Sequence, residues 1–397
     1  MLTVGNMYPP HHLGGYELMW RSSVEHLRAH GHEVTVLTTD HRNAAPDPAI
    51  DEGPDVHREL EWYWRDHAFP DRRRGQRLAL ERHNQRVLAR HLEHRGGAQC
   101  VCWWAMGGMS MALLETARRR RIPAVGVVVD DWLTYGPEVD AFHRAARRLG
   151  PLAGLAETVW QVPARLELES AARWLFVSET TRRRAVAAGL RVERSPVAHG
   201  GIENELFAAF EPGPWSARLL YVGRIDPRKG VLNAVRAVAQ LPEATLVIAG
   251  HGDEVHRREL EAEIARMGIG DRVAFQRPRR DRLAQVYAAA DAVIFPSLWE
   301  EPWGLVPLEA MAVGRPVVAT GVGGSGEYMR DGENCLLFSP SDDPAALAAA
   351  VRRLGDDDAL RRHLRVHGAR TAAKFSGAAF NARVEAELVA AVEDGTG

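Results

Sequence analysis

The chain has few lysines, few cysteines and no long hydrophobic run. Lys229 and Lys374 are its only lysines, so arginine supplies almost all of the 50 basic residues. The three cysteines, Cys100, Cys102 and Cys335, are too few for a disulfide framework, and we therefore expect a reducing cytoplasm. No apolar run approaches the roughly 20 residues that a membrane span needs. The formal charge of -2 argues against general attraction to nucleic acid.

The 397 residues exceed what one hydrophobic core usually supports, so we expect two domains. Short β-branched runs alternate with longer helical patterns, which is typical of an α/β fold with parallel sheets. The runs lie at residues 33–39, 98–104, 124–130 and 174–178 in the first half, and at 218–223, 245–250, 272–276, 292–297 and 316–320 in the second.

Glycines and prolines break both periodicities near residues 200–215, which indicates a linker between the two domains. We expect a Rossmann-like domain over residues 1–203 and a second over 204–375, with a C-terminal helix over 376–397 packing back on the first. The two domains should face each other across a cleft. Ligands in such sheets bind outside the carboxyl ends of the strands.

The segment GRIDPRKG, residues 223–230, follows one of the second-half strands and precedes a helical pattern. Arg224 and Lys229 would project from this loop beside the positive end of a helix, where a phosphate binds well. The alternative is two solvated cations in a loop whose glycines only make turns.

A second segment, residues 296–320, places Glu301 and Glu309 around a turn from strand to helix. Gly304 would open the helix, and with Leu305 it would offer free backbone N–H groups to an oxyanion. If the glutamates were a glycosidase pair on one helix, eight residues would separate them by about 12 Å. Such a pair needs about 5–9.5 Å, so a hydrolase is weakened as an interpretation but not excluded.

Four motifs in order along the chain resemble family 4 retaining glycosyltransferases, which have the GT-B fold. They are YPPHHLGGYE at residues 8–17, GRxxxxKG at 223–230, the E-x7-E of EPWGLVPLEAMAVGRPVVAT beginning at Glu301, and GGSGE at 323–327. The resemblance extends over nearly the whole chain, through HGHEVTVLTTD, FVSETTRR, GGIENELF and GENCLLF. It implies an acceptor-binding N-terminal domain and a donor-binding C-terminal domain.

The resemblance also implies roles for charged residues. Arg224 and Lys229 would hold the diphosphate of a nucleotide sugar, with UDP the favoured nucleotide. Glu309 would accept hydrogen bonds from the ribose hydroxyls, and Glu301 would face the hydroxyls of the donor sugar.

Backbone groups complete the implied donor site. Gly223 begins the loop, Gly304 and Leu305 would supply N–H groups, and the turn at Gly14 and Gly15 would close on the diphosphate from the opposite side. We expect contacts to the base around residues 277–279, including Arg279. Fixed cations and N–H donors aimed at the leaving group lower the barrier, so no metal and no cofactor are expected.

Retention without a covalent intermediate is the favoured mechanism: the acceptor hydroxyl attacks the face from which the diphosphate departs, and a phosphate oxygen takes its proton. A GT-B phosphorylase or epimerase is one alternative, although a phosphorylase normally needs a lysine-bound pyridoxal phosphate. A catalytically silent protein that binds nucleotide sugars is another alternative.

One position departs from the resemblance. The family commonly has His-Asp after the strand at 124–130, whereas this chain has Asp130 where the histidine would stand. An ionised Asp130 can only accept hydrogen bonds, so it would bind sugar or acceptor hydroxyls. The alternatives are that Asp130 merely caps a turn, or that it forms with Asp131 the metal-binding pair of the other glycosyltransferase fold.

The acceptor side is less specific in sequence. Trp104 and Met106 follow a strand that should face the cleft, and His12 lies beside the glycine turn, so all three are candidate acceptor contacts. Paired tryptophans are equally typical of core packing, and a loop histidine can lack any role. Soluble saccharide or small-molecule acceptors and lipid-linked acceptors are ranked equally. Residues 62–74, aromatic and then basic, could contact the inner face of a membrane.

Overall fold

The computed structural model describes residues 1–43, 46, 50–64, 69–70, 72–94 and 97–395. The chain divides into two compact units, Met1–His199 with Phe380–Gly397, and Gly200–Ala379. Each unit contains one parallel sheet of six strands with helices around it. The predicted α/β class with two parallel sheets is therefore confirmed. The division of acceptor and donor binding between the units stays a prediction.

The sheet of the first unit has the strand order β3-β2-β1-β4-β5-β6. Its strands are β1 Leu2–Val4, β2 Thr35–Thr39, β3 Val56–Leu60, β4 Val101–Trp103, β5 Ala124–Val128 and β6 Arg173–Phe176. Its helices are α1 Gly15–Ala29, α2 Arg74–Glu93, α3 Ala112–Arg119, α4 Trp132–Val139, α5 Ala141–Arg147, α6 Ala153–Trp160, α7 Leu168–Ala171 and α8 Glu179–Ala187.

The sheet of the second unit has the order β12-β11-β10-β7-β8-β9. Its strands are β7 Arg218–Val222, β8 Thr245–Ala249, β9 Val273–Gln276, β10 Ala292–Phe295, β11 Val317–Ala319 and β12 Leu336–Leu337. Its helices are α9 Val231–Ala239, α10 Glu254–Met267, α11 Leu283–Ala289, α12 Leu305–Ala312, α13 Pro344–Asp356 and α14 Asp358–Ala372. The last helix, α15 Gly377–Gly395, lies mostly in the first unit.

The central strands form because their apolar residues are buried on both faces of each sheet, as parallel sheets require. The five residues of β5 and the four of β10 are all buried. Helix ends carry polar caps where the sequence offers them: the Asp343 carboxylate accepts a hydrogen bond from the N–H of Ala345 at the start of α13. Because the strands of each sheet are parallel, the loops after them gather at the carboxyl edge of that sheet.

The C-terminal helix α15 packs against α1 within the first unit. The Ser23 hydroxyl donates to the side-chain oxygen of Asn381 at 2.7 Å, and both groups are buried. Within the described residues, no helix is long and apolar enough to cross a membrane. The aromatic and basic segment at 62–74 lies partly outside the described residues, at positions 65–68 and 71.

Candidate functional site

The loop after β7 takes its shape from two glycines with positive φ. Gly223 has φ 144° and Gly230 has φ 68°. A Cβ at Gly230 would lie 1.9 Å from the backbone oxygen of Pro296, so only glycine fits there. Between them, the Asp226 carboxylate accepts from the N–H of Arg228 and caps a short 3-10 turn, Pro227–Lys229. The loop is thereby fixed against the segment that follows β10.

Lys229 forms an ion pair with Glu301, 72 residues further along the chain. The Lys229 Nζ lies 2.6 Å from Glu301 Oε1, and the Ser297 hydroxyl donates to the same oxygen at 2.8 Å. The Glu301 side chain is 6% exposed and that of Lys229 is 18% exposed. The structure therefore brings together two of the predicted catalytic residues and adds Ser297, which the sequence analysis did not name.

Arg224 is more open than Lys229. Its side chain is 37% exposed, and its guanidinium lies 4.0 Å from the Asp226 carboxylate. Arg228 is the stronger partner of that carboxylate, at 2.7 Å, and its hydrogen bonds lower the pKa of Asp226 to about 2. Because Arg228 already neutralises Asp226, the partly exposed Arg224 guanidinium remains accessible to an anion.

The helix α12 begins at the predicted position. Gly304 precedes it with φ 86°, and the Tyr328 hydroxyl donates to the Gly304 carbonyl at 2.5 Å. Pro307 lies in the first turn, where a missing N–H costs nothing. The first N–H groups of a helix have no partners within the helix, so the backbone from Leu305 onward offers donors to an oxyanion.

Glu309 lies on α12 and is 6% exposed. The Tyr287 hydroxyl donates to its Oε2 at 2.7 Å, and among the described residues Oε1 receives no hydrogen bond. Burial raises the pKa of Glu309, although the nearby Arg280 guanidinium acts in the opposite direction. This carboxyl group therefore keeps one oxygen for a further hydrogen-bond donor.

The arginine beside Glu309 is Arg280 and not Arg279. Arg280 donates to the Glu203 carboxylate at 2.8 Å and its side chain is 20% exposed. Arg279 pairs with Asp281 at 3.1 Å, and its side chain is 53% exposed. The structure therefore leaves the Arg279 side chain on the surface, and the contact of the backbone around residues 277–279 with the nucleotide base stays a prediction.

Asp130 follows β5 at the carboxyl edge of the first sheet. Its Oδ1 accepts from the N–H of Trp132 at 2.9 Å, and the Tyr135 hydroxyl donates to Oδ2 at 3.2 Å. Burial raises the pKa of Asp130 to about 6. The first contact is the turn cap that the sequence left open as an alternative. The raised pKa is typical of functional carboxyl groups, so the observed geometry is compatible with both interpretations.

The glycine turn of the first unit is stabilised by its own helix. The N–H of Gly14 donates to the Glu17 carboxylate at 3.1 Å, and α1 begins at Gly15. His12 Nδ1 lies 3.3 Å from the carbonyl of Pro10. No atom lies within 4 Å of a Cβ placed on Gly14, so the turn is open on that side.

Trp104 and Met106 are core residues. Trp104 is 1% exposed and stacks on Trp20 with ring centroids 6.2 Å apart, while Met106 is 0% exposed. Their burial favours packing, the alternative that the sequence left open. Gly107 lies next to them, and a Cβ there would lie 2.1 Å from the Tyr135 hydroxyl. Tyr135 therefore fills the space that the glycine leaves.

Two groups among the described residues have the side chains to hold a metal ion, and neither includes a residue of the loops just described. They are His26 with His30 and Glu385, and His57 with Glu59 and His91. Both lie in the first unit.

Comparisons with known proteins agree on one class. The family model described as Glycosyltransferase Family 4 matches residues 13–206, and the model described as Glycosyl transferases group 1 matches residues 216–357. A glycogen synthase of Mycobacterium tuberculosis is 40% identical over 157 residues, which are 38% of this chain and 37% of that protein. A D-inositol 3-phosphate glycosyltransferase of Rhodococcus erythropolis is 35% identical over 210 residues, 50% of this chain and 47% of that one.

The matched segments thus span less than half the length of these relatives. A solved structure, HepE of Anabaena in complex with UDP-glucose, is similar over 98% of this chain and 99% of its own, with a TM-score of 0.71 and 21% identity. That likeness concerns the fold.

Proposed function

The chain belongs to glycosyltransferase family 4 and has the GT-B fold, and from this premise we propose that it transfers a sugar from a nucleoside diphosphate donor to a hydroxyl acceptor. UDP is the proposed nucleotide. The names of the similar proteins support this proposal, since they include sugar transferases and a UDP-glucose complex.

The ion pair of Lys229 and Glu301 is the observation that carries the proposal. Glu301 holds the lysine ammonium in place before any substrate binds, and the Ser297 hydroxyl in turn donates to the Glu301 carboxylate. Cleavage of the bond between the sugar and the phosphate develops negative charge on the diphosphate. A cation that is already oriented stabilises this charge without reorganising, and that is the largest single contribution in many enzymes.

We also propose that the transfer retains the configuration at the sugar C1. The bond between the sugar C1 and the diphosphate oxygen breaks, and the acceptor oxygen forms its bond to C1 on the same face. The acceptor proton passes to an oxygen of the departing phosphate, so no protein base is needed. Lys229 and Arg224 supply positive charge, the N–H groups at Gly304 and Leu305 supply hydrogen bonds, and we propose that the chemistry proceeds without a metal.

The remaining donor contacts are assigned by chemistry. Glu309 keeps Oε1 for a ribose hydroxyl, since only its Oε2 is occupied by Tyr287 among the described residues. Glu301 accepts from hydroxyls of the sugar through Oε2, because Lys229 and Ser297 both contact Oε1. Gly14 and Gly15 stay predicted diphosphate contacts, and Asp130 stays a predicted contact of the acceptor or sugar.

The assay is release of nucleoside diphosphate with a panel of sugar nucleotides and hydroxyl acceptors. We expect release that depends on both substrates, and the same rate in EDTA at a temperature well below unfolding. Binding of sugar nucleotides without release under every acceptor condition would favour the silent binding protein instead. Loss of turnover in EDTA with the fold intact would contradict metal independence.

A lipid-linked acceptor is supported by an exposed apolar ridge in the first unit. Leu152, Leu155 and Val159, at the start of α6 and along it, are 61%, 71% and 71% exposed. The exposed Arg144 and Arg148 lie just before them in the chain. An exposed apolar helix face with arginines nearby in the sequence is typical of a helix that lies on an anionic membrane surface. We propose this ridge as the membrane contact, and the cytoplasm as the compartment, since all three cysteines are free and buried.

Cosedimentation with vesicles tests the membrane contact. Leu155→Asp together with Val159→Asp should abolish binding to phosphatidylglycerol vesicles, whereas Val389→Asp on α15, which is also exposed, should not. Equal binding by all three proteins would exclude the ridge, and an absence of binding by the unaltered chain would favour a soluble acceptor.

A further inference from the structure

A second group of ionisable side chains lies at the edge of the first sheet. The edge strand β3 packs against α2. His57 and Glu59 are two residues apart on β3 and therefore point to one face, while His91 lies in the last turn of α2. The Nδ1 of His57 is 3.3 Å from Glu59 Oε1, and the Nε2 of His91 is 3.6 Å from the same oxygen. Two imidazole nitrogens and one carboxylate oxygen, all of which are common metal ligands, therefore lie close together.

These spacings are longer than hydrogen bonds and fit a metal ion. An N–H···O hydrogen bond usually spans about 2.7–3.2 Å between heavy atoms. For zinc with ligand distances of about 2.0–2.1 Å in a tetrahedron, neighbouring ligand atoms lie about 3.3–3.4 Å apart. The contacts of Glu59 with His57 and His91 bracket that value, and all three ligand atoms lie within 4.8 Å of one another.

His91 provides a second observation, independent of the spacings, that points to a bound cation. Its side chain is 8% exposed, and among the described residues its buried Nε2 has no hydrogen-bond partner. A buried polar atom without a partner destabilises the fold. A cation placed between Nε2 and Glu59 would satisfy it.

The surroundings resemble the outer shell of a metal site. The other nitrogen of His57, Nε2, lies 2.9 Å from Asp55 Oδ1. If His57 Nε2 donates its proton to the Asp55 carboxylate, His57 Nδ1 carries a lone pair. Nδ1 then faces the Glu59 carboxylate with no proton between the two acceptors, and a cation could bind both. Histidine ligands of metals usually have such a carboxylate behind them, which fixes the ring and its tautomer. Arg90 contacts the other oxygen of Glu59, Oε2, and leaves Oε1 to the histidines.

We propose that His57 Nδ1, Glu59 Oε1 and His91 Nε2 bind a divalent transition-metal ion, with zinc as the best match, and that Asp55 positions His57. Two imidazoles and a carboxylate suit zinc, with water in the fourth position. The ion would join the edge strand β3 to α2, and its ligands are separate from the residues that we assign to sugar transfer.

The other histidine group in the first unit is a suitable control. His26, His30 and His32 contact the carboxylate of Glu385 at 2.9, 2.7 and 2.8 Å, which are hydrogen-bond lengths. Although burial acts in the opposite direction, hydrogen bonds from these imidazoles lower the pKa of Glu385 to about 2. Each contacting nitrogen already has a partner, so a metal would first have to break these bonds.

The test uses the full chain without a polyhistidine tag, stripped of metal and titrated with Co²⁺ and then Zn²⁺. We expect one equivalent of Co²⁺ with the absorption of a tetrahedral site, displaced by Zn²⁺, and a rise in melting temperature with Zn²⁺. His91→Gln and Glu59→Gln should each weaken binding by at least about 100-fold, more than the roughly 10–100-fold expected for Asp55→Asn. His30→Gln should bind like the unaltered chain.

Circular dichroism without metal verifies that each variant is folded, and the half-exposed Glu59 provides a second ligand variant if His91→Gln fails to fold. Asp55 has φ 55°, a conformation that asparagine also adopts readily, so Asp55→Asn leaves the backbone unstrained. The proposal is overturned if the unaltered chain binds no equivalent of Co²⁺ or Zn²⁺. Unchanged affinity in both Glu59→Gln and His91→Gln, or loss of the site in His30→Gln alone, overturns it too.

Discussion

Replacement of Lys229 by alanine removes the cation that we assign to the departing diphosphate. Loss of one preorganised donor typically lowers turnover by about 10²–10³, which corresponds to about 2.7–4 kcal/mol of barrier. We therefore expect turnover in Lys229→Ala to fall by at least two orders of magnitude. Lys374→Ala is the matched control, because this exposed lysine lies in the same unit and should leave turnover unchanged.

The same replacement leaves the Glu301 carboxylate with the Ser297 hydroxyl as its remaining side-chain donor among the described residues. A buried group that loses its partner costs about 1–3 kcal/mol, and the 18% exposure of Lys229 lets water replace part of that contact. For a unit of this size each kcal/mol is worth about 2–4 °C, so the melting temperature should fall by roughly 2–12 °C while the fold is kept.

A second replacement separates the two effects. Glu301→Gln removes the carboxylate that Lys229 would otherwise neutralise, so the double variant should recover the lost melting temperature. Its affinity for UDP, measured by titration calorimetry, should nevertheless stay at least about 10-fold below that of the unaltered chain, because a hydrogen bond to a charged group is worth about 1.5–3 kcal/mol. Recovery of full UDP affinity in the double variant would show that Lys229 is only a counter-ion of Glu301 and does not bind the diphosphate.

Further replacements probe the other assignments. Turnover should rise with pH as Asp130 ionises, with a midpoint near its pKa of about 6, and this pH dependence should be absent in Asp130→Asn. The effect on folding stability has the opposite sign. Because burial raises the pKa of Asp130 above 3.8, folding stability should fall as pH rises through about 6, which thermal melts across pH 4–8 would detect. Asp130→Ala should impair transfer more than UDP binding, and equal losses would indicate a structural aspartate. Glu309→Gln should weaken UDP binding about 10–100-fold and Tyr287→Phe less, by calorimetry; a larger effect of Tyr287→Phe would contradict the ribose contact. Gly230→Ala should destabilise the fold by at least about 2 kcal/mol in denaturant melts, whereas Gly14→Ala should change stability by less than about 0.5 kcal/mol, so any turnover it loses reports on substrate.

Most of the fold could be predicted from the sequence because the central strands are continuous apolar runs. The runs at 124–130 and 292–297 became β5 and β10, and the family resemblance was confirmed by the family models. The edge strand β3, with the sequence VHREL, was missed, since a strand exposed on one side has a polar sequence that does not stand out. The two-residue β12 was missed for its length.

The chemistry of the candidate site was harder to read, because contacts across the fold leave no local pattern. The pairing of Lys229 with Glu301 joins residues that are 72 positions apart. Arg279 and Arg280 are neighbours with the same side chain, and only the fold shows that Arg280 turns toward Glu309. Likewise, the aromatic side chain of Trp104 is typical of both sugar platforms and cores, and only its burial distinguishes them.

The central claim is transfer from a sugar nucleotide with retention, and the anomeric proton of the product tests it most directly. An α-linked UDP-sugar and a hydroxyl acceptor would be followed by proton NMR during the first turnovers, with Lys229→Ala as the control. We expect an α-linked product from the unaltered chain, together with release of UDP, and at least about 100-fold slower formation by the variant. A β-linked product, or equal rates for both proteins, would contradict it.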